Sequence, residues 1–234
     1  MQINPLFTMR KQYLLLITIF LLGYTSYSQT YTFDYVLEYK TETVEDTITN
    51  FKQVSTFYRF FNSNDNNKAL TVWEKGTLTK IELIPYDNKF HRGEIPTENF
   101  FVEALSMKCP RSGVHHTPNY RPKDYKLVNH SDTVINTLRY SRVDLQPVNK
   151  RRYKKMEIFR ESFIIDNSLN FSVPLIFPLS VLHKLWEKGS KVPNGVIKDL
   201  KGYDVNGREV YHMELKSIFP ISKIIIVDRT NCDW

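Results

Sequence analysis

The sequence predicts a mainly β fold of the α+β kind: a large curved antiparallel sheet, or half-barrel, with one or two covering helices. Three observations predict it. Tyr and Phe are abundant, at 14 and 15 residues, while Gly is scarce at 8, and aromatic and β-branched residues favour strands. Several segments alternate large and polar side chains with a period of two. Asn206-Gly207 lies between two such segments and is the strongest hairpin signal in the chain. A sandwich of two sheets is the alternative arrangement.

The chain opens with a targeting pattern. Arg10 and Lys11 form a positive region, 13–22 is apolar apart from Thr18 and the Tyr13 hydroxyl, and 23–28 is small and polar. That is the three-part layout of a secretory signal peptide. Ser26 and Ser28 occupy the small-residue positions, so cleavage is expected before Gln29, with Met9 as the start. Residues 1–28 are then removed, and 29–234 form a single β-rich domain. The apolar run has half of the roughly 20 residues a spanning helix needs. No cysteine follows it, so no bacterial lipid anchor is expected at the new N-terminus. The expected location is outside the cytoplasm: periplasm, outer surface or medium. Of 32 basic and 25 acidic residues the leader takes Arg10 and Lys11, which leaves a net charge of +5. That excess does not call for a nucleic-acid partner.

The first mature strand alternates Tyr31, Phe33, Tyr35, Leu37 and Tyr39 with Thr32, Asp34, Val36, Glu38 and Lys40, which places five large side chains on one face. Residues 53–61 read as a second strand, with Val54, Thr56, Tyr58 and Phe60 on one face and Phe57 and Phe61 on the other. A turn cluster at 62–67 precedes a hairpin of 69–74 and 77–84 around Lys75-Gly76. Across 97–107 the pattern is ambiguous. In one reading Thr97 caps a short helix, with Phe101 and Leu105 on one side and Pro110 as the stop. Residues 108–124 read as an irregular loop. Residues 134–145 and 156–166 read as paired strands around a basic stretch.

Residues 178–188 carry the best helix pattern. Leu179, Leu182, Leu185 and Trp186 form an apolar stripe, with His183, Lys184, Glu187 and Lys188 largely opposite. Pro178 suits the first turn and Gly189 the stop. Residues 195–205 and 208–217 flank Asn206-Gly207, with Tyr211, Met213 and Leu215 facing one way. Ile224 to Val227 read as a last strand covered on both faces.

Reactive motifs are absent. Asp34 and Glu38 on one strand face are ~13 Å apart, beyond the roughly 5–9.5 Å of glycosidase carboxylate pairs. His115 and His116 lack a third ligand at any metal-site spacing. There is no Gly-x-Ser-x-Gly elbow and no glycine-rich phosphate loop. The 62–67 cluster has one carboxylate, Asp65, and no closing Glu for calcium. No enzyme activity, metal or cofactor is expected. Cys109 and Cys232, two cysteines in an exported chain, are expected to pair; two buried thiols are the alternative. Lys150, Arg151, Arg152, Lys154 and Lys155 surround Tyr153. They suit an anionic membrane surface or glycan, or else a solvated hairpin tip whose charges block edge pairing.

Several segments together resemble a group of exported Bacteroidota proteins. They are Gln29 followed at once by the aromatic strand 31–39, the turn 62–66 opening a strand with Leu70, Val72 and Trp73, and Val192-Pro193-Asn194-Gly195-Val196-Ile197 leading into the Asn206-Gly207 hairpin. The group comprises GLPGLI-type proteins and relatives of the periplasmic lipoprotein carrier (LolA-like) fold; the GLPGLI hexapeptide itself does not occur. The resemblance implies a curved antiparallel half-barrel with helices on its concave side and, in the carrier branch, an apolar cavity for acyl chains.

Two functional readings follow. In the first, a lipid or acyl chain rests on an aromatic sheet face built from Phe33, Tyr35, Leu37, Tyr39, Leu182 and Trp186, unless those residues form a filled core. In the second, the basic stretch binds anionic head groups or glycans. The cysteine expectation is the most direct to check: thiol labelling of denatured, unreduced protein from the cell envelope should find no free cysteine. Two labelled thiols would reject the bridge.

Overall fold

The computed structural model describes residues 28–46, 51–85, 89–100, 102–114, 122–149 and 159–229. The targeting segment before Ser28, the basic residues Lys150, Arg151, Arg152, Lys154 and Lys155, the pair His115 and His116, and Cys232 lie outside them.

Strands dominate. Along the chain they are β1 Ser28–Asp46, β2 Phe51–Asn62, β3 Asp65–Lys75, β4 Leu78–Ile84 and β5 Lys89–Pro96. A one-turn helix, α1 Thr97–Phe100, precedes β6 Ala104–Lys108 and β7 Arg111–Val114. A 3-10 turn at Pro122–Asp124 leads to β8 Tyr125–Asn129, β9 Thr133–Ile135, β10 Leu138–Pro147 and β11 Arg160–Asp166. Then follow β12 Pro174–Leu175, helix α2 Val181–Glu187, β13 Gly195–Tyr203 and β14 Glu209–Asp228. They form one curved sheet in the order β7-β5-β4-β3-β2-β1-β14-β13-β11-β10-β8, with β12 beside β13, β6 beside β14 and β9 beside β10. The sheet is not closed into a barrel. Pairing is antiparallel except at β12–β13 and β14–β6. The expected architecture, a large curved antiparallel sheet with two helices, is the observed one.

The hairpins fall where their turn residues put them. Gly76 (φ 64°) joins β3 to β4 and Gly207 (φ 82°) joins β13 to β14. Asp204 braces the second turn by accepting from the Asn206 and Arg208 amides at 2.8 and 2.9 Å. The strand expected at Ile224 to Val227 is the far end of β14, not a separate element.

Three expectations are corrected. Residues 97–107 give a single helical turn and then a strand, because 104–108 pairs in parallel with Ile224–Asp228. Residues 108–124 contain β7, paired with β5. The helix expected at 178–188 begins only after Ser180, because Leu179 has a φ of +73°, a conformation side-chain-bearing residues rarely adopt. Ser180 caps it, its Oγ accepting from the His183 amide at 3.1 Å. Gly189 (φ 86°) ends it as expected. His183 is 3% exposed and so belongs to the buried side, not the polar one.

Alternation along β2 and β3 sends side chains into two separate cores on opposite faces. Phe57, Phe61 and Ala69 join Leu37, Tyr39, Val143, Phe163 and Met213 in the first core, under α2. Phe60, Leu70 and Val72 join Ile81, Leu83, Phe100, Leu105 and Met107 in the second. Leu182 and Leu185 anchor α2, and burying such a side chain contributes about 1.5–3 kcal/mol. The five large residues of β1 do not share one face. Tyr31 and Phe33 enter the second core, Leu37 and Tyr39 the first, with Tyr35 packed against it. The change falls at Asp34, where the β1–β14 register shifts from Phe33↔Lys223 to Tyr35↔Pro220.

A titratable group borders the first core. Glu161 of β11 lies on the same face as Phe163 and Ile165, and burial pushes its carboxyl up to about 7. A raised acid keeps its proton in the folded chain after the unfolded chain, ionising near 4.5, has released it. Stability is therefore expected to fall as pH rises from about 4.5 to about 7. Glu161→Gln should flatten that decline and raise stability above it, as read by urea unfolding across pH. An unchanged pH profile would show that the carboxyl ionises freely in the fold.

Candidate functional site

The second core is only partly covered. Its cover is the strap formed by α1 and the residues that lead into β6. Phe100 of the strap meets Phe60 edge-on, ring centroids 5.6 Å apart at 78°. Between strap and sheet lies a cleft of about 500 Å³, within the range of small-molecule sites. Val36, Tyr58, Phe60 and Val72 form its sheet wall; Phe100, Val102 and Ile221 form the opposite lip. Val102 is 50% exposed and Ile221 37%. Phe219, opposite Val36 in the ladder, is 55% exposed. Val102 and Ile221 thus give the mouth an apolar part, beside the exposed Glu74, Glu103 and Ser222.

One buried cation holds the strap in place. Lys223 is 3% exposed. Its Nζ donates to the carbonyls of Phe100 and Val102, the latter at 2.5 Å, and lies 4.3 Å from the Phe100 ring. Burial pulls its pKa below the ordinary lysine value. Thr79, Ser222 and two carboxylates, Glu74 and Glu103, complete the lining. Glu103 accepts from Ser222 Oγ at 2.9 Å. Burial, then Glu74 and Glu38, raise the Tyr58 hydroxyl above its ordinary pKa. With its apolar walls the cleft can hold a hydrocarbon chain by desolvation and dispersion.

The residues expected on the ligand or core face lie elsewhere. Leu37, Tyr39 and Leu182 are at most 1% exposed in the first core, and Tyr35 and Trp186 pack against it. Tyr35 meets Phe171 edge-on at 5.0 Å, and Tyr39 donates its hydroxyl to the Ile197 carbonyl at 3.0 Å. The structure thus brings five of the six together. Phe33 sits across the sheet, 6.5 Å from Phe60. None of the six lines the cleft. Asp34 and Glu38 accept hydrogen bonds, from the Ser63 amide at 2.7 Å and from Ser217 Oγ at 2.7 Å. Cys109 donates its amide to the Asp228 carbonyl at 2.8 Å, which puts it beside a residue four positions before Cys232.

Sequence reading missed Val36, Val72 and Lys223 as site residues. The available signal was β2, which is apolar on both faces: Phe57 and Phe61 on one, Tyr58 and Phe60 on the other. Such a strand needs cover on both sides.

No protein-family model and no curated protein matches the sequence. Among solved structures the chain is similar to the MucA/MucB complex of Pseudomonas aeruginosa, at TM-score 0.40 and 6% identity, over 82% of this chain and 52% of that one. It thus spans about half the length of the MucB chains. It is also similar to a LolA superfamily protein of Nitrosomonas europaea, at 0.30 and 9%, over 79% and 84%. A third is an outer membrane lipoprotein-sorting protein domain of Vibrio parahaemolyticus, at 0.29 and 7%, over 86% and 87%. The LolA group expected from the sequence is among these neighbours. Scores of this size leave function to be argued from the chain's own residues.

Lys223→Met strips two carbonyls of their donor at nearly the same side-chain length. The expected cost is about 1–3 kcal/mol, measured by urea unfolding, with faster hydrogen exchange confined to the strap. Unchanged stability and exchange would show that the lysine does not hold the strap.

Proposed function

We propose that this chain is a non-enzymatic exported protein that binds an apolar ligand, such as a lipid acyl chain, in the cleft beneath the strap. The single observation that carries this reading is the cleft itself: about 500 Å³, with aromatic and aliphatic walls and exposed Val102 and Ile221 at its mouth. The helix-covered face is closely packed at Leu37, Tyr39 and Leu182, whereas the cleft stands open. Its working place is the periplasm, the outer surface or the medium, in keeping with the targeting pattern. Among the described residues no helix is long and apolar enough to cross a membrane.

The test uses N-phenyl-1-naphthylamine, an uncharged apolar dye whose fluorescence rises on leaving water. The mature chain should bind it saturably, and decanol should displace it. Val102→Asp combined with Ile221→Asp puts two charges at the exposed mouth without touching the core. Affinity should fall about tenfold or more, which is about 1.4 kcal/mol, with an unchanged melting temperature. No saturable binding by the parent, or equal binding by the double variant, overturns the reading.

A further inference from the structure

We propose that the cleft selects an amphiphile whose head is an ammonium, held between Glu74 and Glu103 while its chain lies on the apolar floor. The proposal rests on the apolar-ligand reading above and adds the head group to it.

Each wall brings one carboxylate to the mouth. Glu74 lies near the end of β3, opposite Thr79 of β4, and belongs to the sheet wall. Glu103 belongs to the strap. Both line the one cleft and both are exposed. The Ser222 hydroxyl donates to Glu103 at 2.9 Å and so holds that carboxylate at the lip. Glu74 has no hydrogen bond or ion pair among the described residues. A carboxylate without a partner is ordinary on an open surface. Here it borders a cleft of about 500 Å³ floored by Val36, Phe60, Val72 and Phe100.

One cation also lines the cleft, and its charge is already engaged. Lys223 is 3% exposed, and its Nζ donates to the carbonyls of Phe100 and Val102 with the Phe100 ring 4.3 Å away. No arginine and no second lysine is among the described lining residues. The mouth therefore offers two acceptors and no free cation. A carboxylate head would meet two like charges there, and an alcohol would gain little. An ammonium brings three N–H donors to groups that only accept. Tyr58, half-buried in the same wall, adds a ring face on which a cation can rest.

The charge of the cleft runs against that of the whole. The chain has 32 basic and 25 acidic residues, so its overall field favours an anion. A preference for a cation would have to come from the cleft itself.

Displacement of N-phenyl-1-naphthylamine from the mature chain by decylamine, decanol and decanoate at neutral pH compares three heads on one chain length. An exposed charge pair about 4 Å apart in water is worth about fivefold in affinity, so decylamine should bind about fivefold or more tighter than decanol, and decanoate weakest. Added salt should narrow the spread. Glu74→Gln combined with Glu103→Gln keeps the shape and leaves an amide oxygen for Ser222. It should bring the ratio of decylamine to decanol affinity close to equality. If that variant does not fold, Glu74→Gln alone should lower the ratio. Equal affinities for the three, decanoate as the tightest, or an unaltered ratio in the folded variant overturns the head-group proposal and leaves the apolar reading standing. No saturable dye binding, or displacement by none of the three, overturns the apolar reading and this proposal with it. A second copy of the chain as occupant would appear in sedimentation velocity as a dimer that Val102→Asp with Ile221→Asp takes apart, and that result also overturns the proposal.

Discussion

The pairing of β1 with β14 holds the molecule together. They are its longest strands, 19 and 20 residues, and they run side by side from Ser28↔Asp228 to Thr43↔Tyr211. Neither could serve two cores if it kept one alternation throughout. The irregularity at Asp34 solves this. Opposite it, β14 fits Ile221 and Ser222 between Pro220 and Lys223, and Pro220 has no N–H to give the ladder. A bulge there twists the pair locally and re-aims its side chains. Tyr31 and Phe33 then face the second core while Leu37 and Tyr39 face the first. Asp34 is not idle at the break. Its carboxylate takes the Ser63 amide and hydroxyl, at 2.7 and 2.5 Å, and ties the β2–β3 turn to it.

Local chemistry was legible in the sequence, and long-range pairing was not. Period-two runs and glycine turns gave β2, the β3–β4 hairpin and the β13–β14 hairpin close to their true bounds. The strand at 104–108 was hidden because its one partner among the described residues lies more than a hundred residues away, at Ile224–Asp228, and nothing local distinguishes it from a helix. The start of α2 was misplaced because the apolar stripe includes Leu179, and periodicity cannot show a positive φ. The face of β1 was misread because a bulge leaves no mark in alternation until the partner strand is known. The cleft inherits that error. Val36 looked like a solvent-side residue between Tyr35 and Leu37, yet it borders the second core. Lys223, just before the isoleucine run, is buried against two carbonyls, which nothing local signals.

The two faces of the sheet are covered differently. On one face the cover is short: α1 is a single turn, and Phe100 reaches Phe60 but not the surface toward Val36 and Tyr58. The cleft is thus an uncovered stretch of sheet rather than a void in a packed core, and occupying it displaces water without moving core residues. On the other face the cover is adequate but the polar account is not. Tyr39 finds the Ile197 carbonyl, whereas Arg59 has three rings and, among the described residues, no acceptor. Native interiors rarely leave such groups without a partner.

A sheet with apolar residues on both faces must bury both or expose one. This chain buries most of each by curving, so that β6, β14 and β1 close around the second core while β8, β10, β11 and α2 close around the first. The seam where the curvature changes face is the bulge of β14. Phe219, Pro220 and Ile221 sit there at the surface, and Lys223 turns inward two positions later. The same few residues thus end one ladder phase, expose the mouth of the cleft and fasten its strap. A change at the seam would therefore act on fold and site together, whereas a change at Val102, on the free lip, would act on the site alone.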